Sequence, residues 1–197
     1  MESVILARHG ESEYSVRDAL NGNPSIVFGL TALGEEQARA LGKELADTAI
    51  DLCVTSSFER VRRTADLALE GRDVPRLVLP ELGDPDYGRF EGASVMDYRA
   101  WAASASSSAT PGGTGESRIA IVSRYVRAFG TILQQPERSL LVVTHSGPIA
   151  YVVGGLAGRA PERRLPVIEY AHPYRLTADE LAAAVSFLEE WCASPTW

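Results

Sequence analysis

Four short apolar runs punctuate the chain, separated by longer amphipathic segments. The runs are rich in branched side chains and have the length of buried strands; they cover residues 4–7, 52–55, 77–79 and 140–143. In the segments between them, most clearly around residues 122–133, apolar positions recur three and four apart, as in a helix that buries one face. Strands that alternate with helices predict an α/β fold, a three-layer α/β/α sandwich with a mostly parallel central sheet.

Residues with good capping side chains mark where several of these helices should begin. Thr31 and Ser56 are suited to accept hydrogen bonds from the free N–H groups of a first helical turn. Ser56 with Glu59, and Thr177 with Glu180, also have the spacing of a capping box. We therefore predict helices after Thr31, after Ser56 and after Thr177.

The length of 197 residues is enough for one domain with a core that needs no disulfide or metal. We expect a single domain over residues 1–197. From about 102 to 117 the chain consists mainly of Ala, Ser, Thr and Gly, which predicts a flexible segment, either a solvated connector or a mobile flap. No apolar run approaches the roughly 20 residues of a membrane span, and the first residues do not have the pattern of a secretory signal. A cytoplasmic location is therefore expected.

The net charge limits the class of partner. A formal charge of −7 and a pI near 5.0 oppose broad attraction to nucleic acid or to an anionic membrane. Any anionic ligand should therefore be drawn by a local basic pocket. Nothing in the chain predicts an oligomeric state.

Basic residues and histidines follow three of the predicted strands, at the edge where α/β sheets bind ligands. The first strand runs into Arg8 and His9, the second is followed by Arg60, and the fourth runs into His145. Guanidinium groups match the oxygens of phosphate, and imidazole is a competent nucleophile at neutral pH. Gly10 is expected to leave room for a substrate. Backbone N–H groups at the helix start beginning with Ser146 should add donors for its oxygens.

Six short motifs, in order along the chain, resemble the histidine phosphatase superfamily, which includes cofactor-dependent phosphoglycerate mutases and many small phosphatases. They are Arg8-His9-Gly10-Glu11-Ser12, the segments 30–38 and 55–65, Phe90-Glu91-Gly92, Gly115-Glu116-Ser117, and Val143-Thr144-His145-Ser146-Gly147. The resemblance implies a phosphoglycerate mutase-like fold. It also implies that His9 becomes phosphohistidine, and that Arg8, Arg60 and His145 hold the phosphate. Ser15 departs from the family pattern, because several relatives have an asparagine there that contacts phosphate.

The resemblance also implies a carboxylic acid that protonates the leaving group. In the family this residue normally lies in a segment like Leu-x-Glu, shortly before an aromatic-Gly pair. Leu79-Pro80-Glu81 fits the segment, so Glu81 is the favoured proton donor. Asp84 is the alternative, because its distance along the chain to Tyr87-Gly88 is closer to the usual one.

The function implied is a phosphomonoesterase that acts through a phosphohistidine on a small phosphorylated metabolite or a phosphoprotein, with no metal or cofactor. One alternative is a mutase, which returns the phosphoryl group to its substrate. Another is a non-catalytic module that binds phosphorylated ligands. A metal site made of His9, Glu11 and His145 is disfavoured, because Arg8 and Arg60 would repel the cation.

Overall fold

The computed structural model describes residues 1–197 and contains one five-stranded sheet. The strands are β1 (Ser3–Arg8), β2 (Leu52–Thr55), β3 (Arg76–Val78), β4 (Ser139–Thr144) and β5 (Pro173–Thr177), arranged in the order β3-β2-β4-β1-β5. All neighbouring strands are parallel except β5, which pairs antiparallel with β1. The predicted, mostly parallel sheet is confirmed.

Seven helices surround the sheet. They are α1 (Glu13–Val16), α2 (Ala32–Glu44), α3 (Glu59–Ala68), α4 (Val95–Ala102), α5 (Arg118–Leu133), α6 (Ser146–Leu156) and α7 (Ala178–Ala193). Alternate strand residues point to opposite faces. One face packs against α5, α6 and α7, and the other packs against α2 and α3, so that each face has its own buried core. The three-layer sandwich expected from the sequence is therefore confirmed.

The two edge strands differ from the sequence prediction. The run predicted at 77–79 was expected to be buried, but β3 is partly exposed along its length because it forms one edge of the sheet. The other edge strand, β5, was missed. Its sequence mixes apolar and polar residues and includes a proline, which a sheet tolerates at an edge.

Two of the three predicted helix caps are confirmed. The Thr31 side chain accepts a hydrogen bond from the Gly34 N–H, and Thr177 with Glu180 forms a full capping box. The prediction for Ser56 was wrong. Helix α3 begins after Phe58 without a side-chain cap, because the Ser56 hydroxyl is hydrogen-bonded to His145 instead.

The 102–117 segment, predicted to be a solvated connector or a mobile flap, is partly buried. Ala102, Ser107 and Pro111 are each shielded from solvent, and the Ser107 N–H donates a hydrogen bond to the Trp197 carbonyl. Its predicted flexibility stays a prediction. No helix has both the length and the apolar character needed to cross a bilayer.

Candidate active site

The register of β1 and β4 places two histidines side by side at the carboxyl edge of the sheet. Arg8, the last residue of β1, pairs with Thr144, the last residue of β4. The next backbone N–H, that of His9, donates a 2.9 Å hydrogen bond to the Thr144 carbonyl. The His9 and His145 rings consequently meet edge to face, with centroids 5.2 Å apart, and both are buried.

His9 has a defined tautomer. Its Nδ1 lies 2.7 Å from the Gly10 carbonyl oxygen, an acceptor only, so we assign the proton to Nδ1. That leaves the lone pair on Nε2. Burial, reinforced by the nearby His145 ring and by the positive charges of Arg60 and Arg8, lowers the pKa of His9 well below its usual value. The ring is therefore neutral at pH 7, and Nε2 is a free nucleophile.

Two arginines lie beside the histidines, each held by contacts with the protein. Arg60 is only 4% exposed and donates to the Asn21 side-chain oxygen at 2.9 Å and to Asp84 at 2.6 Å. Arg8 donates to the Ile168 carbonyl at 2.8 Å, and its guanidinium lies 3.7 Å from the centre of the Tyr170 ring. These contacts thus position both guanidinium groups, that of Arg8 at the end of β1 and that of Arg60 on α3.

Asp84 joins the group from the loop after β3. Its carboxylate lies 2.6 Å from Arg60 and 2.9 Å from Nδ1 of His145, although the second pair is poorly aligned for a hydrogen bond. Burial raises the pKa of a carboxyl group, but the contacts with His145 and Arg60 outweigh it and hold the pKa of Asp84 far below its usual value. Asp84 is ionised in this arrangement.

His145 is fixed between two side chains. Its Nε2 is 3.0 Å from the Ser56 hydroxyl, on the side opposite Asp84. Burial lowers the pKa of His145, although the neighbouring Asp84 carboxylate opposes the change. Ser56 therefore orients the ring from β2 while Asp84 faces it from the β3 loop.

The structure does not bring Glu81 to this site. Glu81 lies in a short 3₁₀ turn, its side chain is exposed, and its carbonyl accepts a hydrogen bond from Arg124 on the outer surface. Asp84 lines the central cavity, and Glu81 does not. The structure thus places Asp84, and not the favoured Glu81, beside the histidines, because the chain turns inward only after Glu81.

Gly10 is needed for a different reason from the one expected. A Cβ on Gly10 would lie 2.3 Å from the backbone oxygen of Gly34, and a Cβ on Gly34 would lie 1.9 Å from that of Glu11. The two glycines let α2 approach the turn that carries His9. Gly10 thus makes room for helix packing, and the Gly10 N–H is bonded to Thr64.

Three other predicted residues are placed as follows. Ser146 begins α6 and lines the cavity directly after His145. Ser15, also on the cavity wall, lies 2.9 Å from the Ser12 hydroxyl. Glu11 accepts a hydrogen bond from the Thr31 hydroxyl and so belongs to the start of α2.

Sequence reasoning missed two side chains of the site. Asn21 is buried against Arg60, yet it lies in a segment that has no helical or strand pattern. Its position one residue before Gly22 was the available signal. Tyr170 stacks on Arg8 from more than 160 residues away, and no local pattern marks it.

One open cavity of about 330 Å³ is lined by Arg8, His9, Asn21, Arg60, Asp84 and Tyr170, together with Ser15 and Ser146. His9, Asp84 and His145 present possible metal-ligand atoms within 4.8 Å of one another, with Asp84 in place of the Glu11 considered from sequence. The Arg60 guanidinium, 2.6 Å from Asp84, would compete with a cation for that carboxylate. The arrangement of two arginines beside a neutral nucleophile suits an oxyanion better.

Comparison with known families agrees with this geometry. A family model for the histidine phosphatase superfamily (branch 1) matches residues 4–189. The chain belongs to this superfamily. It is therefore an enzyme of the phosphoglycerate mutase-like fold, in a group that hydrolyses phosphomonoesters without metal ions.

Several relatives of this histidine phosphatase are named for their substrates. The chain is 32% identical to the adenosylcobalamin/alpha-ribazole phosphatase of Salmonella typhimurium, with 77% of each chain covered. A 2,3-bisphosphoglycerate-dependent phosphoglycerate mutase of Methylobacterium is 38% identical, but over only 49% of this chain and 48% of its own.

Solved structures of similar proteins have the same fold. The alpha-ribazole phosphatase of Shigella flexneri superposes with a TM-score of 0.73 at 28% identity, covering 88% of this chain and 89% of its own. Bacillus stearothermophilus YhfR has a TM-score of 0.75 at 22% identity over 88% and 89%, and this match supports the fold alone.

Proposed function

We propose that this protein hydrolyses small phosphomonoesters through a phosphohistidine formed on Nε2 of His9. The observation that carries the proposal is the state of His9. Its Nδ1–H is tied to the Gly10 carbonyl, its pKa is lowered by burial, and its free nitrogen shares the cavity with Arg8 and Arg60. Arg8, Arg60 and His145 bind the phosphoryl oxygens, with further donors from the start of α6 at Ser146.

Asp84 replaces Glu81 as the proposed proton donor and acceptor. Its low pKa depends on contacts with Arg60 and His145. A bound phosphate competes for both groups and brings negative charge close to the carboxylate. Both effects raise the pKa of Asp84, so that it takes up a proton when substrate binds and becomes an acid for the leaving group.

The reaction then has two in-line steps. In the first, the Nε2–phosphorus bond forms while the ester P–O bond breaks, and the Asp84 proton passes to the leaving oxygen. In the second, Asp84 takes a proton from water as the water oxygen attacks phosphorus, and His9 leaves as neutral imidazole. The guanidinium groups stabilise the charge of the equatorial oxygens in both steps.

The roles of the two acidic residues are separable by experiment. Asp84→Asn should lower the steady-state hydrolysis of phenyl phosphate by about 100-fold or more, because its leaving group needs protonation. With 4-nitrophenyl phosphate, whose leaving group needs little protonation, the early burst of nitrophenol should be reduced less. Glu81→Gln, a matched neutral change, should leave both rates within twofold. Loss of activity in Glu81→Gln alone would return the role to Glu81.

His9→Asn tests the nucleophile itself. Activity with EDTA present should fall at least 1,000-fold, and the acid-labile phosphoenzyme trapped from the wild type with ³²P-labelled substrate should disappear. A variant that keeps chelator-resistant turnover would rule out the phosphohistidine route.

A mutase remains the second candidate, because of the 38% identity to the Methylobacterium mutase over about half the chain. A mutase reaction predicts that the ³²P label of 3-phosphoglycerate appears in an isomeric phosphoglycerate. Hydrolysis predicts that the label appears as inorganic phosphate.

A further inference from the structure

The cavity carries more positive charge than one phosphoryl group requires. Its lining includes six arginines and two aspartates, in a protein whose net charge is −7. Arg8 and Arg60 lie beside His9. The other four, which we call the outer arginines, come from α4, from the start of α5 and from the loop before β5: Arg99, Arg118, Arg163 and Arg164.

Most N–H donors of the outer arginines have no acceptor within the protein. None of them lies within 4.0 Å of a carboxylate oxygen, whereas seven other arginines form such ion pairs. Arg99 and Arg164 make no side-chain hydrogen bond to the protein, and Arg163 makes one, to the Ala105 carbonyl. Because a guanidinium has five N–H donors, most of this capacity faces the cavity or solvent.

Arg118 is the member held most firmly. It is partly buried and donates to the Tyr151 hydroxyl and to the Arg163 carbonyl, so the protein fixes its orientation before any ligand arrives. It is also the first residue of α5, where the helix dipole adds positive potential. Tyr98 and Leu165, on the same wall, reduce contact with water and strengthen charge pairing there.

Resting on the proposed hydrolysis at His9, we propose that the outer arginines bind a second anionic group of the substrate, a carboxylate or a second phosphate. A cavity of about 330 Å³ is at the lower end of the range for small organic ligands, so it suits a compact molecule more than a large one. The preferred substrates are therefore small phosphomonoesters with two anionic groups. Such a preference differs from that of an enzyme that recognises one phosphate and an apolar remainder of the substrate.

Paired substrates test the inference. Glycerol 3-phosphate and 3-phosphoglycerate differ by a hydroxymethyl group in place of a carboxylate. Fructose 6-phosphate and fructose 1,6-bisphosphate differ by the second phosphate. Assays in about 0.3 M KCl screen long-range attraction, which would otherwise favour the more charged member of either pair. The wild type should prefer the doubly anionic member of at least one pair by about tenfold or more in kcat/KM, and the pair that responds identifies the second group.

The preference should depend on the outer arginines in particular. In Arg163→Gln/Arg164→Gln, which changes two exposed residues, the ratio of kcat/KM within the responding pair should fall to about 1, mainly through KM. Arg118→Gln should act in the same direction. Arg127→Gln/Arg175→Gln removes the same charge from exposed positions outside the cavity and should keep the wild-type ratio.

The outcomes separate the two proposals. Equal rates for both members of both pairs would overturn the second anionic site and leave hydrolysis at His9 standing. A preference that survives in both arginine variants, or is lost equally in the control, would also overturn it. If the wild type hydrolyses none of the four compounds and no aryl phosphate, the proposed function fails, and this inference fails with it.

Discussion

At the scale of single residues, the site depends on where a few protons and donors are held. His9 is held by a bond to the carbonyl of the residue that follows it, so its reactive nitrogen is set by local backbone geometry. Arg60 is held by Asn21 and Asp84, which are distant in sequence. The proposed nucleophile is thus oriented by its local backbone, while the proposed phosphate-binding arginine is held by tertiary contacts.

The tautomer and charge of His9 can be observed directly. Long-range ¹H–¹⁵N spectra of the histidine rings at pH 7 should show His9 neutral with its proton on Nδ1, because burial and nearby positive charge lower its pKa. Its titration should lie below pH 6.5, the ordinary histidine value. An imidazolium, or a neutral ring protonated on Nε2, would contradict the assignment.

Asn21 should affect catalysis through Arg60. Asn21→Ala removes the oxygen that accepts from Arg60 at 2.9 Å, and a hydrogen bond to a charged group contributes about 1.5–3 kcal/mol. We expect kcat/KM for an aryl phosphate to fall about 10- to 100-fold, with the largest effect on Kd for vanadate or phosphate. Asn23→Ala, which removes only an exposed turn contact to Ser25, should stay near the wild type. Equal losses in the two variants would refute a positioning role.

At the scale of secondary-structure elements, the site depends on how closely α2 approaches the end of β1. The approach is possible because Gly10 and Gly34 have no side chains. Helix α2 packs mainly on α3, which carries Arg60. The position of the nucleophile is therefore connected, through one helix, to the position of the clamp.

Gly34→Ala tests this connection. The new Cβ would lie 1.9 Å from the Glu11 oxygen, a backbone atom that cannot rotate away. We expect the free energy of unfolding in urea to fall by about 1–3 kcal/mol or more, together with a loss of phosphatase activity.

Gly130→Ala is the matched control for this change. It lies inside α5 with no atom within 4 Å of its new Cβ, so the higher helix propensity of alanine should stabilise the protein slightly. If Gly34→Ala behaved like Gly130→Ala, the close packing of α2 on the β1 turn would be disproved.

At the scale of the whole molecule, global and local charge have opposite signs. The protein carries −7 overall, yet its cavity is lined by six arginines, and two buried histidines lie at it or beside it: His9 lines the cavity, and the His145 ring contacts His9. Burying His9 and His145 as neutral rings makes the fold sensitive to acid. The fold lowers the pKa values of both histidines. At pH values between these lowered pKa values and about 6.5, the unfolded chain therefore binds more protons than the folded protein.

Stability should therefore fall as pH drops below about 6.5. The slope is at most about 1.4 kcal/mol per pH unit for each histidine, and the ionised Asp84 adds a loss only near and below its ordinary pKa of 3.8. Urea unfolding at pH 7.5, 6.5 and 5.5 should show the decline. In His9→Asn, whose side chain does not titrate, the decline should be smaller. An unchanged slope would show that His9 is not buried as neutral imidazole.

The sequence by itself determined the fold class, the three central strands, and four residues that the structure brings together at one edge of the sheet. Apolar runs and helical spacing are local patterns, and His9, Arg8, Arg60 and His145 follow strands whose parallel order brings their ends together. Only the tertiary structure decided which of Glu81 and Asp84 lies beside the histidines, which group Ser56 contacts, where the edge strand β5 lies, and how Asn21 and Tyr170 hold the arginines. These depend on which way a loop turns and which distant side chain faces it. Local sequence patterns carry no information on these contacts, because packing between elements that are distant in sequence decides them.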